Sequence, residues 1–241
     1  MNWELLHRYG FAVGGWRSLD DIELGEYMEL RVDGEGADSY EEVMLIYSGA
    51  LRQMQTKLNI LNEEFQHVHN YNPIEHIKAR LKTPESIVKK LQRHGYESTL
   101  SNMVKYCNDI AGVRVICDFT SDIYKIADMI SNQSDIRVLA IKDYLSNPKP
   151  SGYRSYHMII TVPVYLSDRI VDTKVEIQIR TIAMDFWASL EHKIQYKFTG
   201  DVPGNIADEL LECAHMVSTL DEKMLSLNNE IQEINIEEKN R

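Results

Sequence analysis

Asp172-Thr-Lys-Val-Glu176-Ile-Gln178-Ile-Arg180 is the stretch whose reading decides the fold. Val175, Ile177 and Ile179 alternate with Lys174, Glu176, Gln178 and Arg180. A period of two is that of a strand with one face in a core. The other face carries two cations, an anion and an amide. A solvent-facing strand can carry the same set. The row gains meaning from two further segments, a basic stretch around Lys90 and a turn at Gly152-Tyr153.

Outward from this strand, residues 112–119, 136–145 and 153–164 also read as strands, and residues 122–129 as a helix between the first two. Residues 39–69 are helical in pattern, with Val43, Ile46, Tyr47, Ala50, Leu51, Met54, Leu58 and Leu61 recurring at spacings of three and four. Asn72-Pro73-Ile74-Glu75 has the form of an N-cap, a proline at the first helical position and a capping box, so a helix is expected there. Thr83-Pro84 starts another, which Gly95 ends. Helices follow over 183–196 and 206–234. Helices, then strands with one helical interruption, then helices describe an α+β fold, a mixed and mostly antiparallel sheet with helices packed around it. The last helix carries a long apolar stripe from Ala207 through Leu210, Leu211, Ala214, Val217, Leu220, Met224 and Leu227 to Ile231. It would pack against a second subunit or against its own core. Residues 1–38, rich in glycine and without periodicity, are expected to form a weakly ordered arm. Met28 is an alternative start, in which case the arm does not belong to the native protein.

Composition narrows the function classes. The 241 residues carry a formal net charge of −11, which opposes non-specific attachment to nucleic acid or anionic membrane. A local cluster of cations in such a chain points to an anionic ligand. Three cysteines without metal-ligand spacing argue against a disulfide framework and fit a reducing cytoplasm. There is no apolar run of membrane-span length and no signal-peptide pattern.

Three segments carry candidate chemistry. On a helix, Ser86, Lys90 and Arg93 fall within about 60° of one another, away from the apolar face of Ile87, Val88 and Leu91. A hydroxyl, an ammonium and a guanidinium in a row suit polyphosphate oxygens, although a solvated basic face has the same composition. Arg80 adds a flat cation that can stack on a base. Asp109 stands where the chain enters a strand, and with Glu176 it would offer two carboxylates to Mg²⁺ if their strands are neighbours. Asp109 alone is equally a turn residue. In Lys149-Pro-Ser-Gly152-Tyr153-Arg-Ser-Tyr-His157, Tyr153 and His157 share a strand face about 13 Å apart at ~3.3 Å per residue. Tyr153 would stack on a base while Lys149 and His157 meet phosphate; an exposed tyrosine and an ordinary strand histidine are the bland alternative. Together the three segments describe a site for two phosphorylated nucleotides and a divalent metal. Phosphate-loop, zinc and serine-elbow motifs are absent.

In this order, Asn72-Pro-Ile-Glu-His-Ile-Lys-Ala-Arg80, Asp109-Ile-Ala-Gly-Val-Arg114, Ser151-Gly-Tyr-Arg-Ser-Tyr-His157 and Glu176-Ile-Gln-Ile-Arg-Thr181 resemble the synthetase domain of the RelA/SpoT family. With no hydrolase or regulatory domain, the chain looks like a small alarmone synthetase over about residues 39–233. The run from Thr181 to Lys193 favours the second of the two small types of Gram-positive bacteria. The resemblance implies a nucleotidyltransferase-like sheet and transfer of the β,γ-pyrophosphate of ATP to the ribose 3′-OH of GDP or GTP, giving AMP and (p)ppGpp in the stringent response. It further implies a cytoplasmic homotetramer assembled through terminal helices. By the same resemblance, Arg80 and Arg114 sandwich adenine, and Ser86, Lys90 and Arg93 hold the ATP phosphates. Asp109 and Glu176 bind Mg²⁺, and Glu176 accepts the 3′-OH proton. Tyr153 stacks on guanine, with Gln178 and Asp185 nearby, and Lys142, Lys149 and His157 meet the acceptor's 5′-phosphates. Asp185 stands where many relatives carry asparagine, so Asp185→Asn is expected to change the ratio of GDP to GTP or GMP use. A related class that pyrophosphorylates the 3′-end of tRNA is the rival, and a non-catalytic nucleotide or RNA binder a second. The acidic net charge opposes the tRNA reading, and the paired carboxylates oppose the binder.

Overall fold

The computed structural model describes residues 39–69, 71–197 and 204–239; the expected arm over 1–38 lies outside them. In chain order the elements are α1 (Tyr40–His69), β1 (Ile74–Leu81), α2 (Pro84–Arg93), α3 (Leu100–Tyr106), β2 (Ala111–Cys117), α4 (Thr120–Ser131), β3 (Arg137–Asp143), β4 (Tyr156–Tyr165), β5 (Ile170–Thr181), α5 (Ile182–Lys197) and α6 (Gly204–Lys239). The strands form one sheet in the order β1-β2-β5-β4-β3. β2 and β5 run parallel, and the other neighbours are antiparallel. This is the expected mixed, mostly antiparallel α+β architecture.

One sheet face is the core. Val113 and Val115 of β2, Met158, Ile160 and Val162 of β4, and Val175, Ile177 and Ile179 of β5 pack in one cluster with residues of α1, α2 and α4. From α1 come Val43, Ile46, Tyr47, Ala50, Leu51, Met54 and Leu58, the stripe expected from the sequence. Fully burying each valine, leucine, isoleucine or methionine among them stabilises the fold by about 1.5–3 kcal/mol. The opposite face of β5, with Lys174, Glu176 and Gln178 half-buried, is left for chemistry.

The helix expected from Asn72 is not formed. Asn72 Oδ1 accepts the Ile74 N–H at 3.2 Å, an Asx turn rather than an N-cap, and residues 74–81 pair antiparallel with β2. Ile74, Ile77 and Leu81 sit at spacings a helix would also use, so periodicity alone was ambiguous. The edge of β2 decides. It supplies a full ladder, and Ile77, Ala79 and Leu81 then reach the core. The second start is real. Pro84 opens α2, Thr83 Oγ1 accepts the Ser86 N–H, and Gly95 at φ +75° ends it. The short α3 was not anticipated. Thr99 caps it, and Leu100 and Met103 anchor it in the core.

The stripe of α6 divides. Leu210, Ala214 and Val217 pack with Trp187, Ala188 and Tyr153. Trp187 Nε1 donates to the Leu210 carbonyl, and Thr181 Oγ1 donates to buried Asp221 at 2.8 Å. Leu220, Met224, Leu227 and Ile231 are exposed. Cys107 and Cys117 are buried and Cys213 is exposed, all as free thiols. Among the described residues no helix is long and apolar enough to cross a membrane.

Candidate active site

Strand register converts the alternating face into two rows running across the sheet. Arg80 faces Gly112, Gly112 faces Glu176 and Glu176 faces Ile159, which makes the first row. Lys78, Arg114, Gln178, His157 and Lys142 make the second, each opposite the next on the neighbouring strand. Because β2 and β5 are parallel neighbours, Asp109, just before β2, comes to the Glu176 end of the first row. Glu176 feels the Asp109 charge.

Asp109 is bracketed by two ammoniums, Lys82 Nζ at 2.8 Å from Oδ2 and Lys90 Nζ at 2.7 Å from Oδ1. Burial pushes its carboxyl up, but the hydrogen bonds from these lysines outweigh burial and hold it below the usual range. Burial also acts on Glu176. There the contacts with His157 Nδ1, 3.5 Å from Oε1, and with Gln178 Nε2, which donates to Oε2 at 2.9 Å, bring the carboxyl below its ordinary value. Both carboxylates are therefore ionised near neutral pH. They are hard oxygen donors beside a row of cations, and among the described residues no third acidic, histidine or cysteine ligand joins them in a cluster. Two ionised carboxylates are oxygen donors of the kind a hard divalent cation takes together with water and phosphate.

On the other side of β5, the backbone turns at Lys149–Gly152. The Gly152 N–H donates to the Lys149 carbonyl at 2.8 Å, and Gly152 has φ +86°. The turn delivers Tyr153 directly onto His157. The two side chains lean together at their tips, Tyr153 Oη lying 2.8 Å from His157 Nε2, and Tyr153 itself precedes β4, which begins at Tyr156. Lys149 Nζ sits 4.7 Å from the centre of the Tyr153 ring, and Arg180 Cζ 5.1 Å. Tyr144 packs edge-on against both Tyr153 and His157. A base stacking on Tyr153 would replace one of the two cations. Lys149 is exposed and can move, whereas Arg180 is 4 % exposed and is held.

Arg180, noted in the sequence only as a cation on the polar face of β5, was given no role in the site. Its Nε donates to Ser155 Oγ at 3.3 Å, Nη1 to Asp185 Oδ1 at 3.2 Å, and Nη2 to Tyr153 Oη at 2.5 Å and Gln178 Oε1 at 3.0 Å. A buried guanidinium needs such partners. Lys82 was also missed, although it follows Arg80 on the strand side of Thr83 and an Asp-pairing lysine there had no local signature. Lys174 of β5 turns toward α3 instead, donating to the Lys105 carbonyl and Asn108 Oδ1. Asp185, at the start of α5, accepts from Arg114 as well as from Arg180. Burial and the neighbouring Arg180 lower the Arg114 pKa, with Asp185 opposing them. Ser86 and Arg93 are exposed on α2 beside Lys90, and Arg80 and Lys142 are exposed on the two edge strands.

A sheet face with an ion-paired carboxylate at its centre and cations on both sides has the chemistry to hold anionic groups. Comparison with known proteins gives the class. The profile described as "Region found in RelA / SpoT proteins" matches residues 79–201. The GTP pyrophosphokinase YwaC of Bacillus subtilis is 50 % identical over 194 residues, spanning 80 % of this chain and 92 % of that protein. GTP pyrophosphokinase YjbM of the same organism is 34 % identical, over 80 % of this chain and 90 % of that one. Among solved structures, small alarmone synthetase 2 from Bacillus subtilis superposes with a TM-score of 0.72 at 49 % identity, covering 79 % of this chain and 99 % of that one. Small alarmone synthetase 1 bound to its product pppGpp does so at 0.74 and 33 %, covering 80 % and 98 %. The chain belongs to the RelA/SpoT family. Its greater identity to the second small synthetase than to the first agrees with the expectation from residues 181–193.

Proposed function

We infer that the chain is a GTP pyrophosphokinase that transfers the β,γ-pyrophosphate of ATP to the ribose 3′-OH of GDP or GTP, releasing AMP and (p)ppGpp. The observation that carries this reading is the strand order. β1, β2 and α2, with Arg80, Arg114, Ser86, Lys90 and Arg93, lie on one side of β5. β4, β3 and the 149–153 turn, with His157, Lys142, Lys149 and Tyr153, lie on the other. Glu176 stands on the strand between them, where an acceptor hydroxyl would meet a donor phosphate.

Arg80 and Arg114, one row apart on adjacent strands, would hold the adenine between guanidinium planes. Ser86, Lys82, Lys90 and Arg93 would take the triphosphate oxygens, the lysines exchanging Asp109 for phosphate. Tyr153 would stack on guanine, with Gln178 near its edge, while Lys142, Lys149 and His157 meet the 5′-phosphates. Glu176 would accept the 3′-OH proton, its carboxylate aimed by His157 and Gln178. Mg²⁺ held by Asp109 and Glu176 would supply charge neutralisation and polarisation of the phosphoryl oxygens. The remaining acceleration would come from in-line placement of the two substrates and from cations that stabilise the charge left on AMP. Assembly with further copies, as a homotetramer, would use the exposed second half of the α6 stripe, and residence in a reducing cytoplasm would keep the three thiols free.

The test incubates the protein with ATP and Mg²⁺ and with GDP, GTP, GMP or tRNA in turn, separating products by anion exchange. AMP should form in step with a more phosphorylated guanosine, and Glu176→Gln should lower the rate by roughly 100-fold or more. Label on tRNA would move the reading to that acceptor. No AMP with any acceptor would refute transfer.

A further inference from the structure

Asp185 joins the two halves of the site. Its Oδ1 accepts from Arg114 Nη1 at 2.9 Å and from Arg180 Nη1 at 3.2 Å, and its Oδ2 lies 3.8 Å from Lys78 Nζ. The residue is 8 % exposed. Arg114 belongs to the side assigned to ATP. Arg180 belongs to the side assigned to the acceptor, because its Nη2 donates to Tyr153 Oη and its Cζ lies over the Tyr153 ring, 5.1 Å from the centre. One carboxylate oxygen therefore ties a donor-side guanidinium to the guanidinium that orients the acceptor-side tyrosine. An amide at this position offers no charge to the two arginines, and its NH₂ would face a third cation. The contacts of Asp185 thus run from Lys78 of β1 and Arg114 of β2 to Arg180 of β5 itself.

We propose that Asp185 is a positioning residue that couples the two nucleotide subsites, fixing Arg114 for the adenine and, through Arg180, Tyr153 for the guanine. The proposal deepens the pyrophosphokinase reading and rests on it. With Asp185 neutralised, two close guanidiniums repel and both stacking surfaces lose their anchor. With Arg180 alone altered, Arg114 keeps its carboxylate and only the acceptor side loosens. This sets the bridge apart from a direct contact between Asp185 and guanine, which would concern one substrate only.

The experiment is calorimetric titration of the full chain with Mg²⁺ and either a non-hydrolysable ATP analogue or GDP. Asp185→Asn is expected to weaken both by about tenfold or more, the size of a lost charged hydrogen bond. Arg180→Lys, which keeps the charge but loses the fork, is expected to weaken GDP by a similar factor and leave the ATP analogue within about twofold. Asp185→Glu should recover part of the loss for both ligands. If Asp185→Asn weakens GDP alone, or neither ligand, the coupling is wrong. If Asp185→Asn does not fold, Arg180→Lys decides: equal loss for both ligands, or none, overturns the bridge. A wild-type chain that binds neither ligand overturns the functional reading itself, whereas binding of both with the wrong mutant pattern overturns only this inference.

Discussion

Gly152→Ala tests whether α6 and the Tyr153 turn are packed as one unit. Gly152 sits at φ +86°, a conformation that costs an L-residue about 1–2 kcal/mol. A Cβ there would lie 2.5 Å from Ala214 Cβ and 3.1 Å from Leu211 Cδ1, both on α6. Ala214 is buried on a docked helix and cannot swing aside, so overpacking adds about 1–3 kcal/mol. The single variant should thus lose about 2–5 kcal/mol by the sum of these two terms. Ala214→Gly alone costs about 1 kcal/mol of helix propensity and ~0.8 kcal/mol for a buried methyl. In the double variant the Cβ–Cβ collision is gone while the φ strain persists. It should therefore be more stable than the sum of the singles by about 1–3 kcal/mol. Urea denaturation followed by circular dichroism, at one protein concentration, measures this cycle. Additivity within about 0.5 kcal/mol would refute the packing argument. Since Tyr153 follows Gly152 directly, Gly152→Ala should also raise KM for the guanine nucleotide more than for ATP.

Burial raises the Asp221 pKa and the Thr181 hydroxyl only partly offsets it. Its ionised form therefore opposes folding, and stability is lost as pH rises from the ordinary carboxylate range through the folded value. Asp221→Asn keeps an acceptor for Thr181 and should match wild type in acid but exceed it at neutral pH; a stability difference constant across pH would count against this. Lys82→Met should raise KM for ATP by about tenfold and leave the guanine nucleotide nearly unchanged, with an equal effect on both substrates speaking against a phosphate role. Leu220→Lys with Leu227→Lys, both on the exposed part of α6, should shift the protein to a smaller species in light scattering without lowering its helicity. An unchanged mass would take self-assembly away from this stripe.

Elements with a local signature were legible. The alternation of β5, the stripe of α1, and the Thr83-Pro84 start and Gly95 end of α2 each contain enough short-range pattern to specify type and position. The candidate residues on them were legible only as positions on a polar face, since the same alternation belongs to any half-buried strand. β1 failed because Asn72-Pro73 followed by Ile74, Ile77 and Leu81 satisfies helix rules and strand rules alike. Only the free edge of β2, distant in sequence, breaks the tie. The contact between Tyr153 and His157 escaped notice because residue spacing measures backbone separation, whereas two long side chains can lean together at their tips.

From the residues alone came the class of fold, the polar face of β5, and the chemical types on offer: two carboxylates, a basic helix, an aromatic turn. These follow from side-chain periodicity and composition, which are local quantities. The tertiary structure decided which strand lies beside which, and hence that Asp109 and Glu176 come from adjacent strands, that Lys82 pairs with Asp109, and that Arg180 spends its donors on Ser155, Gln178, Tyr153 and Asp185. Strand pairing, the Lys82–Asp109 pair and the Arg180 bonds to Ser155 and Tyr153 join residues remote in the chain, and Gln178 and Asp185, though near Arg180 in sequence, are aimed at it only by the end of β5 and the start of α5.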